Sequence, residues 1–152
     1  MKRINFIVGI VVLCVSVGLF IGACPPPVAI IIDDVSLYGD MNGVVSGHVT
    51  GLANPANYVV AGYIEVEGPG VIWTKPFYNQ PLTPINEDGT WSIDITTGGN
   101  DRCATKVYVF LLPIGAEPVI CSPCHGVPDL PEALASDVVA RGPELRTIHF
   151  AG

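Results

Sequence analysis

From Val28 onward, apolar residues come in short runs, each ended by Gly, Pro, Asn or Asp, and this spacing reads as strands joined by turns. The candidate strands cover residues 28–36, 44–50, 58–67, 89–96, 105–112, 136–140 and 145–150, with a shorter one near 82–85. In the fourth run, Trp91, Ile93 and Ile95 alternate with Ser92, Asp94 and Thr96. A two-residue period puts the first set inside and the second in water, so Trp91 reads as core. Pro131 followed by Glu132, Ala133, Leu134 and Ala135 has the makings of a helical turn, because proline suits the first helical position. About seven short strands at this spacing predict an all-β fold, an immunoglobulin-like antiparallel β-sandwich, after an N-terminal signal helix.

The first residues follow a different pattern. Met1, Lys2 and Arg3 form a cationic head, and residues 4–23 carry no charge, as a secretory signal requires. The run ends in Ile21, Gly22, Ala23 and Cys24. This resembles the lipobox of bacterial lipoproteins, in which a branched apolar residue and two small ones precede a cysteine that becomes the acylated first residue of the mature chain. The resemblance implies a signal peptide at 1–23, palmitate-type acylation of Cys24, and a cell-envelope location on the extracytoplasmic side of a membrane. A plain transmembrane anchor is the competing reading, since about 20 apolar residues span a bilayer. More than one acyl chain makes attachment long-lived, at about 0.8 kcal/mol per buried CH₂. Pro25, Pro26 and Pro27 follow as a stiff spacer. Pro25 stands where an Asp would sit in retained lipoproteins, so the resemblance implies the outer membrane in a host that has one.

What remains, residues 28–152, is enough for one domain with one core. The chain has 14 acidic and 7 basic residues, and Lys2 and Arg3 belong to the signal. So acidic a domain repels phosphate backbones, which excludes nucleic acid as a partner. Its 17 Gly and 14 Pro suit a turn-rich β domain, and its long apolar runs argue against disorder.

The segment 58–112 is also recognisable as a unit. Its Val60-Ala61-Gly62-Tyr63-Ile64-Glu65-Val66, Trp73-Thr74-Lys75-Pro76, Pro81-Leu82-Thr83-Pro84-Ile85, Asp88-Gly89-Thr90-Trp91, Asp94-Ile95-Thr96-Thr97-Gly98-Gly99 and Ala104-Thr105 stretches resemble a β-sandwich accessory module of secreted bacterial proteins. Some of those modules are attached to carbohydrate-active enzymes. The resemblance covers about half of the mature domain and bears on fold more than on ligand.

The sharpest chemical pattern is Cys121-Ser122-Pro123-Cys124-His125, which matches the C-x-x-C-H site of c-type haem attachment. There two thiols bond the haem vinyl groups and the imidazole takes the iron, with Met41, His48 or His149 as conceivable sixth ligands. The helical wrapping of such cytochromes is missing from this β pattern. Outside the cytoplasm the competing fate is a disulfide. Cys103 precedes the strand at 105–112 and the other two cysteines follow it, so a bridge from Cys103 to Cys121 or Cys124 requires the chain at 113–120 to fold back along roughly 23 Å of strand. That bridge is the favoured pairing. A Cys121–Cys124 redox pair lacks the thioredoxin-like setting, and zinc on the three cysteines and His125 competes with oxidation.

Trp73, Phe77 and Tyr78 lie in a Pro- and Asn-containing stretch between strands and are the candidate ligand-binding residues, since exposed rings stack on sugar faces or anchor proteins. The alternative is that Trp73 caps the open end of the core. Glu65, Glu67, Asp88, Asp94 and Asp101 read as solubilising acids, with Asp88 in a hairpin turn. No nucleophile elbow, zinc helix or phosphate-cradling loop occurs, so no enzyme is expected. The expected function is therefore binding or presentation at the cell surface, with extracellular polysaccharide or an envelope protein as partner and no cofactor. The alternatives are a c-type haem electron-transfer lipoprotein and a structural envelope subunit without a small ligand.

Overall fold

The computed structural model describes residues 25–142 and a strand at 148–150. The expected signal helix at 1–23, Cys24, and the first part of the expected strand at 145–150 lie outside the described residues. Among the described residues, ten strands form two antiparallel sheets. They are β1 (Ala29–Val35), β2 (Val44–Thr50), β3 (Tyr58–Glu65), β4 (Val71–Lys75), β5 (Leu82–Pro84), β6 (Thr90–Asp94), β7 (Lys106–Pro113), β8 (Cys124–His125), β9 (Ala135–Ala140) and β10 (Ile148–Phe150). One sheet has the order β1-β2-β6; the other runs β10-β9-β7-β3-β4-β8, with β5 paired to β3. Three connections cross between the sheets, β2 to β3, β5 to β6 and β6 to β7, and give the Greek-key order of an immunoglobulin-like sandwich. The fold class is as expected, with more strands than the seven anticipated.

The core lies where the two sheets face each other. Ile30, Ile32, Val45, Trp91 and Ile93 from the small sheet meet Val60, Ile64, Val107, Val109, Leu111 and Val139 from the large one. Each set occupies alternate positions of its strand, which is the consequence of the pleat. Trp91 is buried, as its alternation requires.

The large sheet is buried on its other face as well. Ala61, Tyr63, Ile72, Leu112 and Cys121 form a second apolar cluster there, covered by the long connection between β7 and β9. The Tyr63 hydroxyl pins that connection by donating to the Val119 carbonyl at 2.9 Å. Burial pushes the Tyr63 phenol up to about 12. Two-sided burial explains why β3 reads as a nearly unbroken apolar run. At 130–133, where a helical turn is expected, the chain makes one hydrogen-bonded turn, Ala133 N–H to Leu130 O at 2.9 Å, and then enters β9.

Two acids expected to solubilise the surface are buried instead, Glu65 and Asp101. Glu65 ends β3 on the covered face and accepts from Gly70 N–H and Lys106 Nζ at 3.2 Å and from Thr105 Oγ1 at 3.3 Å. Burial pushes its carboxyl up, but the Gly70 N–H and then Lys106 and Thr105 outweigh burial and hold the carboxyl below its ordinary value. A carboxyl whose pKa falls on folding adds stability above its unfolded value of about 4.3 and loses it as pH drops through the lower folded value. Glu65→Gln is therefore expected to flatten the acid limb of the stability profile between about pH 4.3 and the folded pKa. Urea midpoints taken across that range check it; an unchanged acid limb would refute the assignment.

Candidate functional site

The strand β4, which the hydrophobic pattern misses, builds one wall of a cleft at one end of the sandwich. In β4 side chains alternate, with Ile72 in the cluster on the covered face and Trp73 packed against the inter-sheet core. Lys75, two residues on, faces the same side as Trp73. Its partner across the ladder is Gly62, where a Cβ would lie 2.8 Å from Ile93, so the missing side chain leaves room in a crowded layer.

The opposite wall is the connection from β6 to β7. Asp101 opens a 3₁₀ turn, Asp101–Cys103, after a tight turn in which Asp101 N–H donates to Gly98 O at 3.3 Å. This brings the Asp101 carboxylate onto the Lys75 ammonium, both buried. Lys75 Nζ also donates to Thr97 Oγ1 at 3.1 Å, and the Thr97 hydroxyl donates to the Pro76 carbonyl. Two connections are thereby clamped together by a buried charge pair whose hydrogen bonds are made within the protein.

At the mouth, Gln80 N–H donates to Phe77 O at 3.1 Å, closing a turn that presents Phe77 and Tyr78, 47% and 70% exposed. Across from them Glu67, at φ 68°, accepts from Asn100 Nδ2 at 2.8 Å. Cys121 and Ser122 close the side. The enclosed volume is ≈ 350 Å³, within the size range of small-ligand sites.

All three aromatic residues expected to bind a ligand line this one cleft. Trp73 differs from expectation in lying within a strand, half-buried, rather than in a loop; it both caps the core and walls the cleft. Its buried Nε1 has no acceptor among the described residues. Lys75, Thr97 and Asn100 are not singled out by the sequence reading, and Glu67 and Asp101 enter it only as solubilising acids. The one signal that could have found Lys75 is its place in Val71-Ile72-Trp73-Thr74-Lys75, a charge ending an apolar strand ahead of a proline.

The expected bridge from Cys103 is corrected. Cys121 pairs with Cys124, with Cα atoms 4.7 Å apart, and Cys103 has no disulfide partner among the described residues. The connection after β7 does fold back, but over the covered face of the large sheet, where Thr74 N–H donates to Cys121 O at 3.0 Å and Cys121 N–H donates to Thr74 Oγ1 at 2.8 Å. Cys103 packs on the opposite side, against the inter-sheet core. The sheet itself stands between them. The zinc set is divided in the same way, and among the described residues no three metal-ligating side chains gather. The residues do not fit the haem arrangement as they stand: the two sulfurs are bonded to each other and His125 sits in β8, in register with Val71. Of the conceivable sixth ligands, His48 is held by Asp33 at 2.7 Å and Met41 by Arg102 at 3.2 Å. The side chain of His149 lies outside the described residues.

Hollows of comparable or greater size lie elsewhere among the described residues. One, ≈ 720 Å³, is the seam between β1 and β9, bridged by Ile32 N–H donating to Asp137 Oδ2 at 2.8 Å. Another, ≈ 360 Å³, carries Glu117, Asp129 and Glu132 on its walls. Neither combines exposed rings with fixed hydrogen-bonding groups.

Comparison with family models, with curated proteins and with solved structures gives no match.

Proposed function

We propose that this chain is a lipid-anchored binding module of the cell envelope, without catalytic activity, whose aromatic cleft holds an extracellular polysaccharide. The observation that carries the reading is the convergence of Trp73, Phe77 and Tyr78 on one cleft beside Glu67 and Asn100. Sugar rings present an apolar face to an aromatic ring and hydroxyls to the polar groups around it, and both kinds of surface are built here. Residues 1–24 support the anchor through their lipobox resemblance.

The test uses the full chain purified from its native envelope. Intact-mass measurement is expected to find acyl chains on Cys24 as the first residue; an unmodified or uncleaved N-terminus sinks the anchor. In affinity electrophoresis, a gel containing a retarding polysaccharide is expected to lose about tenfold in affinity with Tyr78→Ala, an effect of about 1.4 kcal/mol, and a similar amount with Phe77→Ala. Both rings are exposed, so neither substitution should move the unfolding midpoint. Retardation indifferent to both would remove the cleft from the function and favour a structural subunit; capture of an envelope protein that depends on Tyr78 would make the ligand a protein.

A further inference from the structure

We infer that the cleft is selective for uncharged polysaccharide and rejects acidic polymers such as uronates, sulfated glycans and polyphosphates. This rests on reading the cleft as a glycan site, and it follows from where the charges sit. Three side chains lining the cleft are of charged types: Lys75, Asp101 and Glu67. The only cation among them is already spent. Lys75 Nζ is buried against the Asp101 carboxylate and bonded to Thr97, so a ligand carboxylate could reach it only by displacing Asp101.

What the cleft offers outward is of the other sign. Glu67 is exposed at the mouth and held in place by Asn100, which occupies one of its carboxylate oxygens. The remaining acceptor capacity suits a hydroxyl donor. An anionic polymer would instead meet Glu67, with no free lysine or arginine among the described residues that line the cleft to compensate. Like charges so placed discriminate against an anionic ligand by repulsion, beside whatever attraction the cleft offers a neutral one. The exposed rings of Phe77 and Tyr78 add contact area that is indifferent to charge and to salt.

The experiment is affinity electrophoresis of the full chain in detergent micelles, with separate gels of neutral polymers (xylan, mixed-linkage glucan, mannan and galactan) and acidic ones (polygalacturonate, alginate and chondroitin sulfate). Each is run at low and high sodium chloride. The expected result is retardation by at least one neutral polymer, unchanged by salt, and at least about tenfold weaker retardation by the acidic polymers. Glu67→Lys is expected to let an acidic polymer retard the protein at low salt, while Tyr78→Ala weakens the neutral signal about tenfold. Retardation by acidic polymers alone, fading with salt and weakened by Tyr78→Ala, overturns the selectivity and leaves the cleft as a glycan site. No retardation by any of the seven polymers overturns both.

Discussion

Gly47→Ala is expected to destabilise the folded state severely. Gly47 lies at the centre of β2, between Ile32 of β1 and Trp91 of β6. A Cβ there would land on the Ile31 carbonyl oxygen and within 2.6 Å of the Trp91 ring. The first obstacle is backbone held by strand pairing and the second is a fully buried indole, so neither can step aside. Relief requires β1 to separate from β2, which breaks one face of the core. The expected cost exceeds about 4 kcal/mol, against total stabilities of roughly 5–15 kcal/mol for domains of this kind. Circular dichroism with urea titration reads it, with Gly99→Ala as the control because nothing lies within 4 Å of a Cβ there. A Gly47→Ala protein whose midpoint matches that control would contradict the packing described.

Asp101→Ala should follow close behind. It leaves the Lys75 ammonium buried with Thr97 as its remaining partner, and an orphaned buried charge costs about 3–5 kcal/mol. The expected signature is non-additivity. Lys75→Met together with Asp101→Ala should recover most of the loss, since replacing both charges by apolar groups is often close to neutral. A double-mutant cycle on urea midpoints decides it: a double variant as unstable as the sum of the singles would mean that the pair contributes nothing as a pair.

The sequence announces the strands of the core most clearly where one face of a strand is wet. β2 and β6 alternate, and their inward and outward positions can be read directly. β4 is hidden for the opposite reason. Val71-Ile72-Trp73-Thr74-Lys75 buries residues on both faces, so no alternation marks it, and a glycine-rich turn on one side and a proline on the other make it resemble a loop. β8 is two residues long, below what any periodicity can reveal. The cysteine pairing fails on the same kind of information. Separation along the chain indicates that the connection after β7 must return, but the face over which it returns is decided by Tyr63, Phe110 and Ile72, which demand cover on the outer side of the large sheet. Phe77 and Tyr78 were legible as exposed rings. Lys75 and Asp101 were not, because the contact joining residues 26 positions apart exists only once β4 and the β6–β7 connection are side by side.

The two ends of the sandwich are not equivalent. The chain enters at the end where Ala29 pairs with Thr50, and the carbonyls of Pro26 and Pro27 lie against Gly51 there, so the proline segment rests on the domain rather than standing free of it. β6 runs away from that end to Asp94, opposite Val44, and the residues just beyond it, Thr97 to Asp101, form the cleft wall. One strand length, roughly 23 Å, therefore separates the proline segment from the mouth. With the proposed tether at Cys24 and the proposed glycan cleft, each molecule would stand on a membrane like a bristle, its gripping tip outermost, and a lawn of such molecules would engage a long polymer at many points at once. Weak individual grips would then add to a firm hold, because each further contact along one strand is made at the high local concentration set by the last.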